Sequence, residues 1–416
     1  MTPDDLRRNQ NIFLFFFLYS AFSGALRKWV FMGNSGVNNI ILVIQLFMPF
    51  VLVALMKREK PVLSYFPLVP YAILLVFFAA NPMNMTIFHG IFGFIMHFGF
   101  WLMLFTYLNE RAAFPIENLI KPFIIVCLIQ GIICSFQFTM PIDHLINRYE
   151  SGESTSGFEG GMVRVSGTFS YIGGYAAFLY FFGFLIWALM VAQKQKISVI
   201  LLLAAFCIVG AFMNGSRTTT LFVVACIGFG FMSYGKGVDK IRVAAITAFL
   251  LIFASIFNVG AKFSAINAAY DAFMGRVEYG QRTGESGNRA YETIAETLIF
   301  DSANPLFGLG LGATYQGATQ TWGVSHYVTD YGFYEEEPER ILLEGGYALL
   351  LIRALLFGLM IKQLKIPLIY AIPTMIYLFF FAQMVSSTFQ SCFTFFGIII
   401  VDKMYYLREM ETSNNT

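Results

Sequence analysis

Long apolar runs recur along almost the whole of this 416-residue chain and constrain its fold more than any other feature. A helix needs about 20 apolar residues to cross a bilayer, because each residue adds about 1.5 Å of rise. The stretches that meet or approach this length are 11–30, 37–56, 61–80, 87–108, 118–140, 168–192, 197–214, 218–234, 241–260, 340–361, 366–386 and 388–402. The sequence therefore predicts an all-α, polytopic membrane protein with about twelve transmembrane helices.

The composition fits a chain that lies mainly in lipid. Hydrophobic residues make up 57% of the chain and charged residues only 12%, whereas about a quarter of a soluble protein is charged. The net charge of +2 gives no indication of a nucleic-acid partner. The five cysteines lie inside apolar runs without metal-ligand spacing, so we expect neither disulfides nor a structural metal. No HExxH motif is present, and we expect no catalytic metal.

Lysine and arginine in the short connectors predict the orientation of the chain. With the N-terminus in the cytoplasm, sixteen of the 27 basic residues lie inside, including the compact connectors KREK, KQK and KQLK. Both termini are then cytoplasmic, and the first apolar run, which lacks a cleavage site, is a retained helix. Residues 1–416 form one integral membrane domain with two extracytoplasmic loops, 141–167 and a large, structured, helical loop at 261–339.

Several arginines fall at the outer membrane boundary in this topology. Arg164 precedes the sixth span, Arg217 lies in the tight turn NGSRTTT, and Arg340 enters the tenth span. An arginine at a membrane edge can be a snorkelling anchor, but a cation held near the bundle interior points to a functional site. Converging guanidinium groups suit a polyanionic ligand such as pyrophosphate, which they bind bidentately.

The tenth span contains charges, and acids precede it. Glu344 and Arg353 are nine residues apart, so they are not expected to pair, and we expect Glu344 near the outer surface. The preceding segment YEEEPER, at 334–340, is rich in carboxylates. Carboxylates are favourable at helix N-termini, so one interpretation is that these acids cap the helix. The more specific interpretation is that one of them is a general base.

The large loop has its own patterns. Residues 286–300 predict an amphipathic helix, and the following DSANPLFGLGLG predicts a tight turn. His326 in this loop is a candidate acid or base. His89 and His97, on about one face of the fourth span, are expected to be packed side chains.

Four segments together resemble the O-antigen polymerase and O-antigen ligase superfamily of lipid-linked glycosyltransferases. They are RVSGTFSYIGGYAAFL at 164–179, NGSRTTT at 214–220, NRAYETIAETLIFDSANPLFGLGLG at 288–312 and ERILLEGG at 339–346. The first 160 residues resemble the family in architecture only. The resemblance implies a bacterial inner-membrane enzyme of surface polysaccharide synthesis, for lipopolysaccharide or exopolysaccharide. It would transfer glycan from an undecaprenyl-pyrophosphate-linked oligosaccharide on the extracytoplasmic face, without a metal, nucleotide sugar or other cofactor.

The resemblance also implies roles for individual residues. Arg164, Arg217 and Arg289 would bind the diphosphate, with Arg340 as a further candidate. Ligase members carry a histidine shortly before the Glu-x-Gly motif, where this chain has Glu335. This departure favours a polymerase, which transfers glycan to the sugar hydroxyl of a lipid-linked acceptor. Our candidates for the general base are Glu337 first, then Glu335, with His326 and Glu339 behind them.

Two alternatives stay open. An O-antigen ligase would use the same donor but transfer the glycan to lipid A core or another acceptor. A transporter or flippase for a lipid-linked or anionic solute would suit Arg353 within a span, although the halves show no repeat. Candidate partners are the lipid-linked oligosaccharide, the bilayer and, for a polymerase, a chain-length regulator.

Overall fold

A computed structural model describes an all-helical chain over most of the sequence. The described residues are 1–59, 67–84, 86–155, 157, 163–235, 264–282, 305–312 and 337–413. They contain no β-strand. Their α-helices are α1 (Pro3–Ala25), α2 (Ser35–Leu55), α3 (Leu68–Ala79), α4 (Ile87–Asn109), α5 (Ile120–Thr139), α6 (Ile172–Ala192), α7 (Ile197–Asn214), α8 (Arg217–Ser233), α9 (Ser264–Arg282), α10 (Glu337–Gln363), α11 (Leu368–Phe381) and α12 (Thr388–Ser413).

Six described helices are long and apolar enough to cross a membrane, as in a polytopic membrane protein. They are α2, α4, α5, α6, α7 and α10. Three further apolar helices, α3, α8 and α11, have 12, 17 and 14 residues. Eleven of the predicted spans coincide at least in part with described helices, of which the six named above have the length and apolarity of a span. The ninth predicted span, 241–260, and residues 61–66 of the third lie outside the described residues.

The last helix extends beyond the predicted span. The span predicted at 388–402 lies inside α12, which continues to Ser413. Tyr405 lies in this extension, and its hydroxyl accepts a hydrogen bond from Trp187 Nε1 at 3.3 Å. No proline or glycine interrupts the extension, so the helix continues after the apolar residues end.

The chain divides into two compact units. Unit 1 comprises Met1–Phe16, Val43–Pro115 and Gly287–Phe395. Unit 2 comprises Phe17–Leu42, Ile116–Ser286 and Phe396–Thr416.

Unit 2 is built around α6, whose side chains are almost all buried. Gly183 lets α6 approach α8 closely, because a Cβ at Gly183 would lie 3.3 Å from Cys226 Cβ. Small residues allow such close helix packing, which drives helix association in a membrane. An aromatic cluster surrounds Phe17, whose ring centroid lies 4.4 Å from that of Phe123 and 4.8 Å from that of Phe181.

Unit 1 pairs α4 with α10. The indole of Trp101 on α4 meets the ring of Phe357 on α10 edge-on, with centroids 5.2 Å apart. Gly93 of α4 contacts the segment 305–312, since a Cβ at Gly93 would lie 2.4 Å from the Gly312 nitrogen. This segment therefore packs directly on the helix backbone.

Candidate functional site

In unit 2, the loop before α6 is bound to the turn between α7 and α8. The Val165 N–H donates to the Met213 carbonyl at 3.1 Å, and Arg164 Nε donates to the Asn214 carbonyl at 3.0 Å. Asn214 Nδ2 donates in return to the carbonyls of Val165 and Ile172, each at 3.0 Å. The structure thus joins two of the segments that carry the family resemblance, RVSGTFS and NGSR.

Arg217, the first residue of α8, lies in the same turn. Ser216 caps this helix, and its hydroxyl accepts a hydrogen bond from the Thr219 N–H at 3.4 Å. The N-terminus of a helix carries partial positive charge, which favours a bound anion. Arg164 and Arg217 therefore lie on adjoining segments, close to the N-terminus of α8, whose partial charge is also positive.

A third arginine lies close to Arg164. Helix α9 packs on α7, where the rings of Phe273 and Phe212 have centroids 5.0 Å apart, and it carries Arg276. Burial and then repulsion by Arg276 lower the pKa of Arg164 to about 10, so its guanidinium is charged at neutral pH. No carboxylate of the described residues lies within ion-pair distance of either arginine. This region of unit 2 is a basic cluster.

Uncharged and basic side chains from within the unit hold this loop. Gln137 Oε1 accepts hydrogen bonds from the N–H groups of Ser166 and Gly167, at 3.1 and 2.7 Å. Gln130 Oε1 accepts the Thr168 N–H at 3.1 Å. Both glutamines and Lys28 are fully buried, and Lys28 Nζ donates to Ser166 Oγ at 2.8 Å. The loop conformation is therefore imposed by α5 and by the helical turn Leu26–Val30 that follows α1.

In unit 1, Glu337 begins α10 and is fully buried. Its Oε1 accepts a hydrogen bond from Arg353 Nη2 at 2.7 Å. The Val385 N–H donates to both carboxylate oxygens, at 3.3 and 3.0 Å. A substrate hydroxyl could reach this carboxylate only if these contacts opened.

The pairing of Glu337 with Arg353 depends on a break in α10. Residues sixteen positions apart in a straight helix are separated by about 24 Å, too far for a 2.7 Å hydrogen bond. At Gly346 the backbone has φ 62° and ψ −166°, which interrupts the helix. The short segment 337–345 therefore turns back along the rest of α10.

The segment 305–312 binds the backbone at this break. The Leu309 and Gly310 N–H groups donate to the carbonyls of Leu343 and Glu344, at 2.8 and 3.0 Å. On the other side of the break, the Tyr347 and Ala348 N–H groups donate to the carbonyls of Pro305 and Leu306, at 2.8 and 3.1 Å. These four bonds replace helical hydrogen bonds that the break removes.

A second ionisable pair lies beside the break. His97 Nε2 is 3.0 Å from Glu344 Oε2, and the residues are 1% and 4% exposed. The Tyr71 hydroxyl contacts Arg353 and donates to the His97 carbonyl at 3.4 Å. The folded-back segment carries Glu344 into unit 1, so its side chain is buried rather than exposed to water. His97 is packed inside the unit, with a carboxylate as its partner.

Some of the predicted site residues lie together in the structure, and others lie outside the described residues. Glu337, Glu339 and Arg340 share the first turn of α10 and are all buried. Arg164 and Arg217 lie in unit 2. The predictions for Arg289, His326 and Glu335, and for the helix at 286–300, fall outside the described residues. Within the described part of the chain, no three His, Cys, Asp or Glu side chains cluster as a metal site would require.

The sequence does not single out the two glutamines of α5, Lys28 or the pairing of Arg353 with Glu337 as parts of these two regions. The two glutamines of α5 are seven positions apart, so they share one helix face, and polar residues on one face of an apolar run are a usable signal. The sequence gives no such signal for the pairing of Arg353 with Glu337, because this pairing depends on the break at Gly346. Lys28 was visible only as a basic residue at the end of the first span.

The fold defines the class of this protein as an all-helical membrane protein with buried ionisable groups. No protein-family model matches the sequence, and neither the curated proteins nor the solved structures include a significant match.

Proposed function

We propose that this protein is a surface polysaccharide polymerase that transfers glycan between undecaprenyl-pyrophosphate-linked oligosaccharides. The observation that carries the proposal is the basic cluster of unit 2. Arg164 and Arg276 repel each other there, with no carboxylate partner among the described residues. Keeping like charges together without compensation is unfavourable, and an anion from outside the chain would relieve it.

The number of membrane spans and their orientation are part of the same proposal. Twelve spans with both termini in the cytoplasm put Arg164, Arg217 and the start of α10 on the extracytoplasmic face. A lipid diphosphate anchored in the outer leaflet has its charge at that level. The enzyme would work in the bacterial inner membrane, need no metal or cofactor, and could act beside a chain-length regulator.

The reaction is a displacement at the anomeric carbon of the donor sugar. The acceptor hydroxyl loses its proton to a general base and forms the new glycosidic bond. The bond to the diphosphate breaks, and undecaprenyl diphosphate leaves with the electron pair. Arg164 and Arg217 of unit 2 would stabilise the growing charge on the leaving group.

The choice of general base follows from burial. Glu337 and Glu339 are 0% and 6% exposed, and Glu337 already accepts hydrogen bonds from Arg353 and Val385. A base must reach the hydroxyl of its substrate directly or through one water. We therefore rank Glu335 first and His326 second, and give Glu337 the role of fixing the helix break.

Reconstitution with lipid-linked repeat units tests the proposal. Longer glycans on the same lipid carrier identify a polymerase, whereas transfer to lipid A core identifies a ligase. Arg217→Ala should abolish chain growth, and Arg217→Lys should recover only part of it, because lysine lacks the bidentate fork. Full activity of both variants would exclude the diphosphate role of Arg217.

A transporter or flippase is the second candidate, and the break in α10 favours it. Interrupted helices and buried ionisable pairs such as His97 with Glu344 are typical of transport sites. Proteoliposomes distinguish the two functions. Movement of a lipid-linked oligosaccharide across the bilayer without a new glycosidic bond would exclude the polymerase.

A further inference from the structure

Lys28 is a fully buried cation in unit 2. It lies in the helical turn Leu26–Val30 that continues α1, and its side chain is 0% exposed. Nζ donates to Ser166 Oγ at 2.8 Å and contacts the Gly167 carbonyl at 3.4 Å. It also lies 5.3 Å from the centroid of the Trp29 ring. Neither the two oxygen acceptors nor the ring carries a negative charge.

The neighbouring basic residue is bound differently. Arg27 forms an ion pair with Glu150, with Nη2 and Oε1 2.5 Å apart, and it also donates to Ser170 Oγ at 3.0 Å. No carboxylate in the described part of the chain lies within ion-pair distance of Lys28 Nζ. An uncompensated buried charge costs several kcal/mol even after the surroundings relax. A methionine would fill similar space without this cost.

The position of Lys28 is coupled to that of Arg164. Its partner Ser166 is two residues after Arg164, in the loop bound to Gln137. Gly167 fixes the same loop with φ 57°, and a Cβ there would lie 2.5 Å from Gln130 Oε1. The ammonium group is therefore held behind the loop that presents Arg164.

We propose that Lys28 is a positioning residue of the anion site in unit 2, which holds the Arg164 loop from inside and adds a fixed positive charge behind it. The ligand class is a diphosphate, so this inference rests on the proposed function and extends it. Lys28 does not touch the ligand. It acts through Ser166 and through its field, which the surrounding apolar interior screens weakly.

Binding of inorganic pyrophosphate and inorganic phosphate to the purified, full-length protein tests this inference. Lys28→Gln keeps hydrogen-bond donors but removes the charge, and it should weaken pyrophosphate binding roughly tenfold. Phosphate binding should weaken less, because a lost charge acts in proportion to the charge of the ligand. Lys28→Arg should retain most of the affinity. If Lys28→Gln does not fold, Lys28→Met provides a second uncharged variant.

Gln137→Leu is the matched control, because it loosens the same loop without changing any charge. It should weaken pyrophosphate and phosphate binding by similar factors. The inference is overturned if Lys28→Gln binds pyrophosphate as the wild type does, or if it changes both affinities in the ratio seen for Gln137→Leu. Absence of pyrophosphate binding by the wild type would overturn this inference and the diphosphate site together.

The chain-growth assay separates the inference from the polymerase proposal. Pyrophosphate binding that depends on Lys28, without chain growth on any lipid-linked donor, supports the inference and rejects the polymerase. Chain growth that is unaffected by Lys28→Gln supports the polymerase and rejects the inference.

Discussion

The two units treat buried charge in different ways. In unit 1 the buried groups find partners within the chain, as Arg353 does with Glu337 and His97 with Glu344. In unit 2 Arg27 is paired with Glu150, but neither Lys28 nor Arg164 has a carboxylate partner among the described residues. An ion pair within the chain stabilises one conformation, whereas a charge without a partner in the chain can be neutralised by a bound ligand of opposite charge. The difference suggests that unit 1 fixes backbone geometry and that unit 2 binds an anion.

The largest expected effect comes from breaking the ion pair of unit 1. Arg353→Met leaves the Glu337 carboxylate buried without its cation, and it should lower the free energy of unfolding by about 3–5 kcal/mol. Unfolding of the purified protein in detergent, followed by tryptophan fluorescence, measures this change. Adding Glu337→Met should recover part of the loss, because two apolar side chains leave no unpaired charge. A double variant less stable than Arg353→Met would contradict the pairing.

The next effect concerns the break in α10. Gly346→Ala should lower the free energy of unfolding by about 2–3 kcal/mol, because alanine is strained at positive φ. The new Cβ would also lie 2.4 Å from the Leu306 carbonyl carbon. Gly358→Ala is the control in the same helix, where no atom lies within 4 Å of an added Cβ. The control should stabilise the protein slightly, and equal effects of both changes would exclude a strained break.

In unit 2, Gln137→Leu should lower the free energy of unfolding by about 2 kcal/mol. The N–H groups of Ser166 and Gly167 lose their buried acceptor, and unsatisfied buried donors are costly. Ser135→Ala, in the same helix, removes only a bond to the Gly131 carbonyl within that helix and should have little effect. The same denaturation measurement compares the two variants. Equal stability would show that neutral groups do not hold this loop.

The smallest expected effect tests the repulsion in unit 2. Arg276→Gln removes the cation that lowers the pKa of Arg164, so this pKa should rise. The stability should increase by less than about 1 kcal/mol, because both arginines are partly exposed. Pyrophosphate affinity should fall in the same variant, which binding measurements would show. A gain in affinity would mean that Arg276 only opposes Arg164.

Much of the helical architecture was predictable because lipid leaves a strong pattern in sequence. Runs of apolar residues mark helices independently of their neighbours, which explains why α4 and α7 lie close to their predicted limits. The end of α12 was not predictable in this way, because its polar extension is set by contacts such as that of Tyr405 with Trp187.

The candidate site was predictable only in part. Arg164 and Arg217 stood out, since charge near the membrane boundary needs an explanation. The pairing of Glu337 with Arg353 could not be predicted, because helical spacing places these residues far apart until Gly346 breaks the helix. The role of Gln137 depends on the backbone of a distant loop, which spacing within α5 does not reveal.

The hydrogen bonds between 305–310 and 343–348 also determine where the chain can be cleaved without losing the contacts at the break. They hold Gly310 and Glu344 together, at the two ends of the interval between these residues. Closing such an interval becomes only about 0.6 kcal/mol more unfavourable for each doubling of its length. Insertions within 313–336 should therefore leave these backbone hydrogen bonds intact. A protein nicked there, or expressed as two fragments that end in this interval, should remain assembled through the backbone contacts at the break.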